Sequence, residues 1–303
     1  MKIRIATRAS QLALVQTNEV IEKIQHYYPT YKCEIIKIES DGDLTNEPLH
    51  KIGGKGLFVS KLEMALSNKT ADIAVHSLKD VPALLDSQFK ILATLPREEA
   101  GDAILFKNGL RIDDLSKNLK IATSGPRRRA QLLAINPQLD IVPIRGNIQT
   151  RIDKMNLNGL DGLIVARAAL NRLNINHKNI YYFSEEEMLP AAAQGAIGIE
   201  VHADTINSEI GNVLKFINDQ YTYQATEIER AIVASLDGNC LSPISVLCKI
   251  NGKNTELKVR VSNQSGLNVY SQRIVFKLKN KDEALGSLIE ELISNGAKEI
   301  INH

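Results

Sequence analysis

The chain is 303 residues long, 44% hydrophobic and 24% charged, with a net charge of +2. This length and apolar content predict an ordinary soluble protein of two or three domains. No run of about 18 apolar residues occurs, which excludes a conventional membrane-spanning helix. A near-neutral total charge, 5% aromatic residues and no tryptophan disfavour a nucleic-acid-binding protein.

The cysteines and the first residues bear on the compartment. Cys33, Cys240 and Cys248 are too few and too scattered for a disulfide framework or a zinc site, so an important cysteine would act singly as a thiol. Residues 1–6 alternate between apolar and polar side chains, as in a strand, and lack the long apolar core of a signal peptide. We therefore expect a cytoplasmic protein without a metal site.

Hydrophobic patterning predicts three regions in chain order. The first has strands at 2–7, 33–39 and 71–75, a helix at 11–28 that Ser10 caps, and a helix at 59–67. The second has strands at 103–106, 120–123, 140–144 and 162–165, with helices at 126–135, 148–156 and from about Arg167. From Thr222, one helix, strands at 247–250, 256–261 and 268–277, and a last helix from Asp282 indicate a small α+β domain.

Polar and charged residues follow the third predicted strand. Its apolar run stops at His76, Ser77, Lys79 and Asp80, and Pro82 prevents further strand pairing. Ligands bind at the carboxyl ends of strands in open α/β sheets, so we expect these side chains to be displayed there as a catalytic site. A surface salt bridge between Lys79 and Asp80 is the alternative. His76 fits a catalytic base and a structural histidine equally well.

Positive charge is concentrated in the second region. Residues 127–172 hold seven of the fourteen arginines, and with Lys154 they set eight cations against three aspartates, a net charge of +5. Arg127 and Arg128 lie at one predicted strand-to-helix junction, and Arg145 and Arg151 at another. Such junctions combine free backbone N–H groups with guanidinium groups, which suits an anionic ligand. Arginines that merely solvate helix starts are the alternative.

Three further segments are weaker candidates. Residues 7–10 form a third junction, where a plain helix cap at Ser10 is as compatible as an anion site. The glycine loop around Lys55 lacks the phosphate-loop signature, and residues 41–43 fit a solvated turn better than a metal site. Gly238 and Asn239 allow a tight turn that exposes the Cys240 thiol, whereas Cys33 and Cys248 look structural.

Together these segments resemble the porphobilinogen deaminase (hydroxymethylbilane synthase) family. The resemblance spans nearly the whole chain, through TRASQLA at 7–13, GGKGLF at 53–58, HSLKDVP at 76–82, RGN at 145–147, residues 190–200 with Gln194, and the turn around Cys240. It implies two doubly wound α/β domains similar to periplasmic binding proteins, residues 1–95 with 196–214 and residues 100–190, whose cleft holds the chemistry. Residues 218–303 would form a small α+β domain.

The resemblance also implies an activity. Such a transferase condenses four porphobilinogen molecules head to tail, with loss of ammonia, onto a dipyrromethane cofactor, and releases hydroxymethylbilane for porphyrin and haem biosynthesis. Porphobilinogen would be its small-molecule partner, with no nucleic acid or membrane, and the chain would act as a monomer. The cofactor is held by a thioether at the position of Cys240.

Site roles are carried over with the resemblance. Asp80 would stabilise the cation left by ammonia and help to transfer protons. The implied cofactor-binding residues, besides Cys240, are Lys55, Ser77, Lys79, Thr123, Ser124, Arg127, Arg128, Arg145 and Gly146. The implied substrate-binding residues are Arg8, Ser10, Arg145, Arg151, Arg172 and Gln194.

Some positions depart from the family pattern. Asn239 stands where glycine commonly precedes the cysteine, Gly125-Pro126 replaces a more usual Ser-Leu-like pair before the arginines, and Val201-His202 follows Glu200 where Cys-Arg is frequent. Arg167 stands where a small residue is usual, so its part in the anion site stays open. A non-enzymatic anion-binding protein of the periplasmic-binding-protein type is the alternative, but it gives no reason for Asp80 or Cys240.

Overall fold

The computed structural model describes residues 1–39 and 59–302. Its strands are β1 (Lys2–Arg8), β2 (Lys32–Ile38), β3 (Ile73–Ser77), β4 (Phe89–Thr94), β5 (Asp102–Phe106), β6 (Lys120–Ala122), β7 (Asp140–Val142), β8 (Gly162–Ala166), β9 (Ile180–Tyr182), β10 (Ile197–His202), β11 (Ile244–Asn251), β12 (Asn254–Ser262) and β13 (Val269–Lys277). Its helices are α1 (Gln11–Tyr27), α2 (Ser60–Ser67), α3 (Pro126–Ile135), α4 (Ile148–Leu157), α5 (Arg167–Arg172), α6 (Glu209–Ile217), α7 (Gln220–Ser235), α8 (Lys281–Ser294) and α9 (Ala297–Asn302).

Backbone proximity divides the chain into two compact units. One comprises residues 1–98 with 195–224, and the other comprises residues 99–194 with 225–303. The predicted division into three domains, with separate domains at 100–190 and 218–303, stays a prediction.

The first unit is built on a five-stranded sheet in the order β2-β1-β3-β10-β4. β1 is parallel to β2 and β3, whereas β10 is antiparallel to both β3 and β4. One face packs against α1 and α6, including Val20 and Leu214, and the other packs against Leu62 and Leu66 of α2. Because helices cover both faces, the central strands β3 and β10 are buried almost throughout, as in doubly wound folds.

The second unit contains two sheets. The larger has the order β7-β6-β8-β5-β9, with β6 parallel to β7 and β8, and with β5 antiparallel to β8 and β9. Leu132 of α3 packs in one core cluster and Met155 of α4 in another. The smaller sheet, β11-β12-β13, is antiparallel and packs against Ile232 of α7 and Leu292 of α8.

The predicted doubly wound α/β class is confirmed, and several boundaries differ. β4 and β9 are not predicted because neither alternates strictly: β4 ends in three consecutive buried residues, and β9 has no buried residue. β10 escapes because its partners β3 and β4 lie more than a hundred residues earlier in the sequence. β11 begins at Ile244, three residues before the prediction, since Ile244 already pairs with Val261.

Candidate active site

Asp80 lies on a short 3-10 turn, Leu78–Asp80, that follows β3 directly. The turn forms because the next residues cannot continue the strand: Val81 donates its N–H back to the Leu78 carbonyl at 3.2 Å, and Pro82 has no N–H to offer. The Asp80 side chain is exposed and that of Lys79 is half buried. A carboxylate is therefore presented to solvent at the end of a buried strand.

The expectation that His76 and Ser77 are displayed beyond the strand is wrong. β3 ends at Ser77, two residues later than predicted, so both residues belong to the strand. His76 is only 7% exposed, and Ser77 donates its hydroxyl to Oε1 of Gln16 at 3.0 Å. The side chains hold the strand end, and a role of Ser77 toward the cofactor stays a prediction.

The junction of β1 and α1 combines a helix cap with an arginine. The Ser10 hydroxyl accepts the Ala13 N–H at 3.4 Å, which confirms its predicted capping role. Arg8 is half buried at the end of β1. The roles of Arg8 and Ser10 toward substrate stay predictions.

The junction of β6 and α3 is held by two hydroxyl side chains. Thr123 Oγ1 accepts the Gly125 N–H at 3.2 Å. Ser124 donates its hydroxyl to the Ile144 carbonyl at 2.6 Å and accepts the Ile144 N–H at 2.9 Å. Pro126 opens α3, and Gly125 offers no side-chain cap, so the N–H groups of the first turn face the loop without one. Such a helix start favours a negatively charged ligand.

Arg127 and Arg128 share one buried carboxylate, that of Asp102. Arg127 Nη2 lies 2.6 Å from Oδ2, and Arg128 donates through Nε at 3.1 Å and through Nη2 at 2.7 Å to Oδ1. Asp102 is 0% exposed and Arg127 is 6% exposed. Burial lowers the pKa of the Arg127 guanidinium, the Asp102 carboxylate opposes that shift, and the charge of Arg128 adds to it. Two cations and one anion leave one positive charge in excess.

The paired arginines differ from the prediction in their accessibility. Arg127 also donates to the Leu189 carbonyl at 2.6 Å, so its guanidinium lies inside the second unit rather than on its surface. The side chain of Arg128 is 12% exposed and also donates to the Ile164 carbonyl. Arg129 is exposed. Cofactor contacts of Arg127 and Arg128 stay predictions, and they would use the N–H groups left over from Asp102.

The junction of β7 and α4 depends on a glycine. Gly146 has φ +115°, and a Cβ there would stand 2.8 Å from Cγ2 of Thr150. Asn147 caps α4 by accepting the Thr150 N–H at 2.9 Å. Arg151 Nε donates to the Gly146 carbonyl at 2.7 Å, and Arg145 is half buried beside it. The two arginines are thus brought to one turn, and their ligand contacts stay predictions.

Three other predicted residues lie elsewhere in the second unit. Arg172 is half buried at the end of α5. Gln194 is 1% exposed and donates to the Ala100 carbonyl at 2.6 Å and to Asp102 Oδ1 at 3.0 Å. Its contact with substrate stays a prediction. Arg167 pairs with Glu99 at 3.5 Å and lies over the Tyr182 ring.

Cys240 lies on the turn between α7 and β11, and its thiol is exposed. Asp237 has φ +53°, and a Cβ at Gly238 would stand 2.4 Å from Cδ1 of Ile244, so the turn needs this glycine for a close approach. Asn239 accepts the Leu241 N–H through its side chain at 2.8 Å. The predicted tight turn is present.

The other two cysteines are less accessible. Cys248 is 3% exposed on β11, and Cys33 is half buried on β2, where burial raises the pKa of its thiol. Lys55, with the rest of its glycine loop, and residues 41–43 lie outside the described residues.

Three buried carboxylates were not predicted from the sequence. Asp102 is one, and Glu200 and Glu229 are each 0% exposed. Glu229 accepts the Cys248 N–H at 2.8 Å and the Ala193 N–H at 2.5 Å. Glu200 stands singly among apolar residues, which is the signal that should have marked it, whereas Glu229 lies next to Arg230 and Asp102 follows a charged stretch, so neither shows that signal. Over the described ranges, no three metal-binding side chains come together as a metal site, and no helix is long and apolar enough to cross a membrane.

The fold defines a class before a family: a doubly wound α/β protein whose first unit has an exposed carboxylate at a strand end and whose second unit has arginines at two strand ends. Residues 3–209 match the family model described as porphobilinogen deaminase, dipyromethane cofactor binding domain. This chain belongs to the porphobilinogen deaminase family, and those residues are its dipyrromethane-cofactor-binding part. The match ends before Cys240.

Relatives extend the match over the whole chain. A porphobilinogen deaminase of Campylobacter jejuni is 39% identical over 308 aligned residues, covering 99% of this chain and 98% of the relative. One of Alkaliphilus metalliredigens is 38% identical over 301, covering 99% and 94%. Among solved structures, the BenM effector binding domain has a TM-score of 0.44 at 16% identity, over 74% of this chain and 93% of that one, a likeness too weak to bear on function.

Proposed function

We propose that this chain condenses porphobilinogen head to tail, releasing one ammonia per unit added, and frees the linear tetrapyrrole hydroxymethylbilane by hydrolysis for porphyrin and haem biosynthesis. The observation that carries the proposal is the exposed Asp80 carboxylate on the turn after a buried strand, in a chain of this family. An anion-binding protein without catalysis needs no such carboxylate, so family membership and site together favour the enzyme.

The residues present fit the family's cofactor in two respects. Cys240 offers an exposed thiol on a tight turn, which suits a thioether link. Arg127 and Arg128, which share Asp102, carry excess positive charge beside the uncapped start of α3. This suits the acetate and propionate groups of pyrrole rings. When bound, a dipyrromethane supplies the pyrrole carbon to which porphobilinogen units are added.

Asp80 acts on the incoming substrate. Departure of ammonia from the aminomethyl group of porphobilinogen leaves positive charge spread over its pyrrole ring. The carboxylate accepts the ring N–H and stabilises that charge as it develops. It then assists removal of the proton from the newly joined ring position. Its exposure matters because a buried carboxylate would not reach a substrate that arrives from solvent.

The arginines hold the acids of the growing chain. Arg128 and Arg145 stand at two strand-to-helix junctions of the second unit, and we assign them to acid groups near the cofactor. Arg8, Arg151 and Arg172 are assigned to acid groups of the substrate. Guanidinium groups suit this task because they bind a carboxylate through two parallel hydrogen bonds.

Intact mass under denaturing conditions tests the proposal. The active protein should be heavier than its sequence by one two-pyrrole adduct, and Cys240→Ser should lack that adduct. Cys33→Ser is the matched control, since its half-buried thiol should leave the adduct in place. An active preparation of unmodified mass, or an adduct that survives in Cys240→Ser, contradicts the proposal.

The chain is also expected to work as a monomer in the cytoplasm. Light scattering coupled to size exclusion should give a mass near 33.5 kDa at all concentrations. A concentration-dependent larger mass contradicts this expectation.

A further inference from the structure

Under the turn that carries Asp80, a buried histidine and a buried glutamate are in contact, His76 on β3 and Glu200 on β10. Nε2 of His76 stands 2.8 Å from Oε2 of Glu200, and the two side chains are 6% and 0% exposed. The strands are antiparallel, with Gly198 opposite His76 and Glu200 opposite Ala74. Both side chains therefore leave the same face of the sheet, the one that α2 covers.

Burying this pair costs free energy of folding. The contact is close, but its angle falls outside hydrogen-bond geometry, and among the described residues neither oxygen of Glu200 accepts a hydrogen bond. A second acid, Glu63 of α2, lies near it: burial raises the pKa of Glu63, and the charge of Glu200 adds to that rise. Apolar residues of similar volume often stabilise a core better than such a pair. Stability alone does not account for Glu200.

The pair lies next to the fixed part of the catalytic turn. Leu78 donates its N–H to the Ala196 carbonyl at 3.0 Å, and its side chain is 1% exposed. A Cβ at Gly198 would stand 2.7 Å from Cδ1 of Leu78, so the leucine sits directly on the β10 backbone. On the other face, Ser77 bonds Gln16 of α1. The backbone is thus held from both faces and from β10 in the residues before Asp80.

We propose that Glu200, acting through His76, is a positioning residue for Asp80. The pair ties β3 to β10 at the point where the strand gives way to the turn, so that an exposed carboxylate keeps one position. The inference rests on the proposed catalytic role of Asp80. Neither His76 nor Glu200 contacts substrate in this proposal, and their contribution is to the geometry of the turn.

The test compares Glu200→Gln with the unchanged protein. The variant keeps the shape of the side chain and removes its charge. We expect kcat for porphobilinogen consumption to fall by roughly 10- to 100-fold, as small misplacement of a catalytic group does. The KM, the cofactor adduct by intact mass and the melting temperature should stay close to those of the unchanged protein. A merely structural role would lower the melting temperature or the adduct instead.

Two further variants make the result specific. Asp72→Asn removes a carboxylate that lies just before β3, at the end away from the turn, and pairs with Arg4 of β1; it should leave kcat unchanged. His76→Gln should reproduce the kcat loss, and the double variant His76→Gln/Glu200→Gln should be no worse than either single one, because the residues act as a unit. If Glu200→Gln does not fold, His76→Gln carries the test alone.

The outcomes separate the two proposals. If Asp80→Asn retains near-normal activity, the catalytic assignment fails. If Asp80→Asn is inactive while Glu200→Gln, or His76→Gln in its place, keeps kcat within about twofold, the positioning role is overturned and the catalytic one stands. A kcat loss that only follows loss of folded protein or of adduct also overturns it.

Discussion

The ends of β3 and β6 show two ways of presenting charge from a doubly wound sheet. After β3 the chain turns at once, and Asp80 stands exposed while the residues before it are packed and hydrogen bonded. After β6 a helix begins, and the two arginines are held by the buried Asp102. An exposed reactive group depends on its backbone for its position, whereas buried cations depend on a counter-ion. Substitutions in the first arrangement should therefore lower activity, and substitutions in the second should lower stability.

Asp80→Asn should give the largest effect and break only activity. We expect kcat to fall by roughly 10³-fold, because charge stabilisation and proton transfer are lost together. The melting temperature should stay within about 1 °C, since the side chain is exposed. Asp86→Asn, on a nearby exposed turn, is the control and should keep normal turnover. A loss of less than about tenfold in Asp80→Asn would contradict its catalytic role.

Asp102→Ala tests the second arrangement, in which a buried carboxylate holds two arginines. Removing the carboxylate leaves Arg127 and Arg128 without their shared anion, and we expect the free energy of unfolding to fall by about 3–5 kcal/mol. Urea denaturation followed by circular dichroism measures it. Glu34→Gln removes the exposed pair with Lys2 and should cost less than about 1 kcal/mol. Equal costs for the two variants would mean that Asp102 does not hold the arginines.

Gly146→Ala extends the comparison to the second arginine junction, between β7 and α4. The strained φ and the contact with Thr150 should cost about 1–2 kcal/mol and raise KM several-fold by shifting Arg145 and Arg151. Gly286→Ala is the control: it lies in α8, where the added Cβ would meet no other segment of the described chain within 4 Å, and it should stabilise by about 0.5–1 kcal/mol. An unchanged KM in Gly146→Ala would separate the turn from ligand binding.

Glu185 should give the smallest effect, and it depends on pH. Burial alone would raise its pKa, but the hydrogen bonds from Lys249 and Lys258 prevail and lower it. Because the pKa is lower in the folded than in the unfolded chain, this stabilisation is present above about pH 4.5 and is lost as the pH falls through the folded value. Glu185→Gln should thus cost about 1 kcal/mol at pH 7, and this cost should shrink as the pH is lowered from 7 to 3. A constant difference across that range would contradict the shift.

Local features of this fold could be read from the sequence, and partnerships between distant segments could not. Ser10 and Asn147 were predictable as caps because a cap and its N–H partner lie within one turn. The positive excess at 127–172 was also countable. The buried counter-ion of those arginines could not be predicted, since Asp102 lies 25 residues before Arg127 and looks like an ordinary strand residue. Similarly, nothing near His76 in sequence reveals Glu200.

The strand order has a consequence for synthesis on the ribosome. Every strand of the β7-β6-β8-β5-β9 sheet lies within residues 102–182, so that sheet can form as soon as its own segment has emerged. The other sheet is interrupted between β3 and β4 until β10 appears at residue 197, because β10 lies between those two strands and pairs with both. The ribosome adds roughly 5–20 residues per second, so the edges of β3 and β4 that pair with β10 remain unpaired for several seconds. The nascent chain therefore passes through a period in which the strand that leads to Asp80 is open to wrong partners.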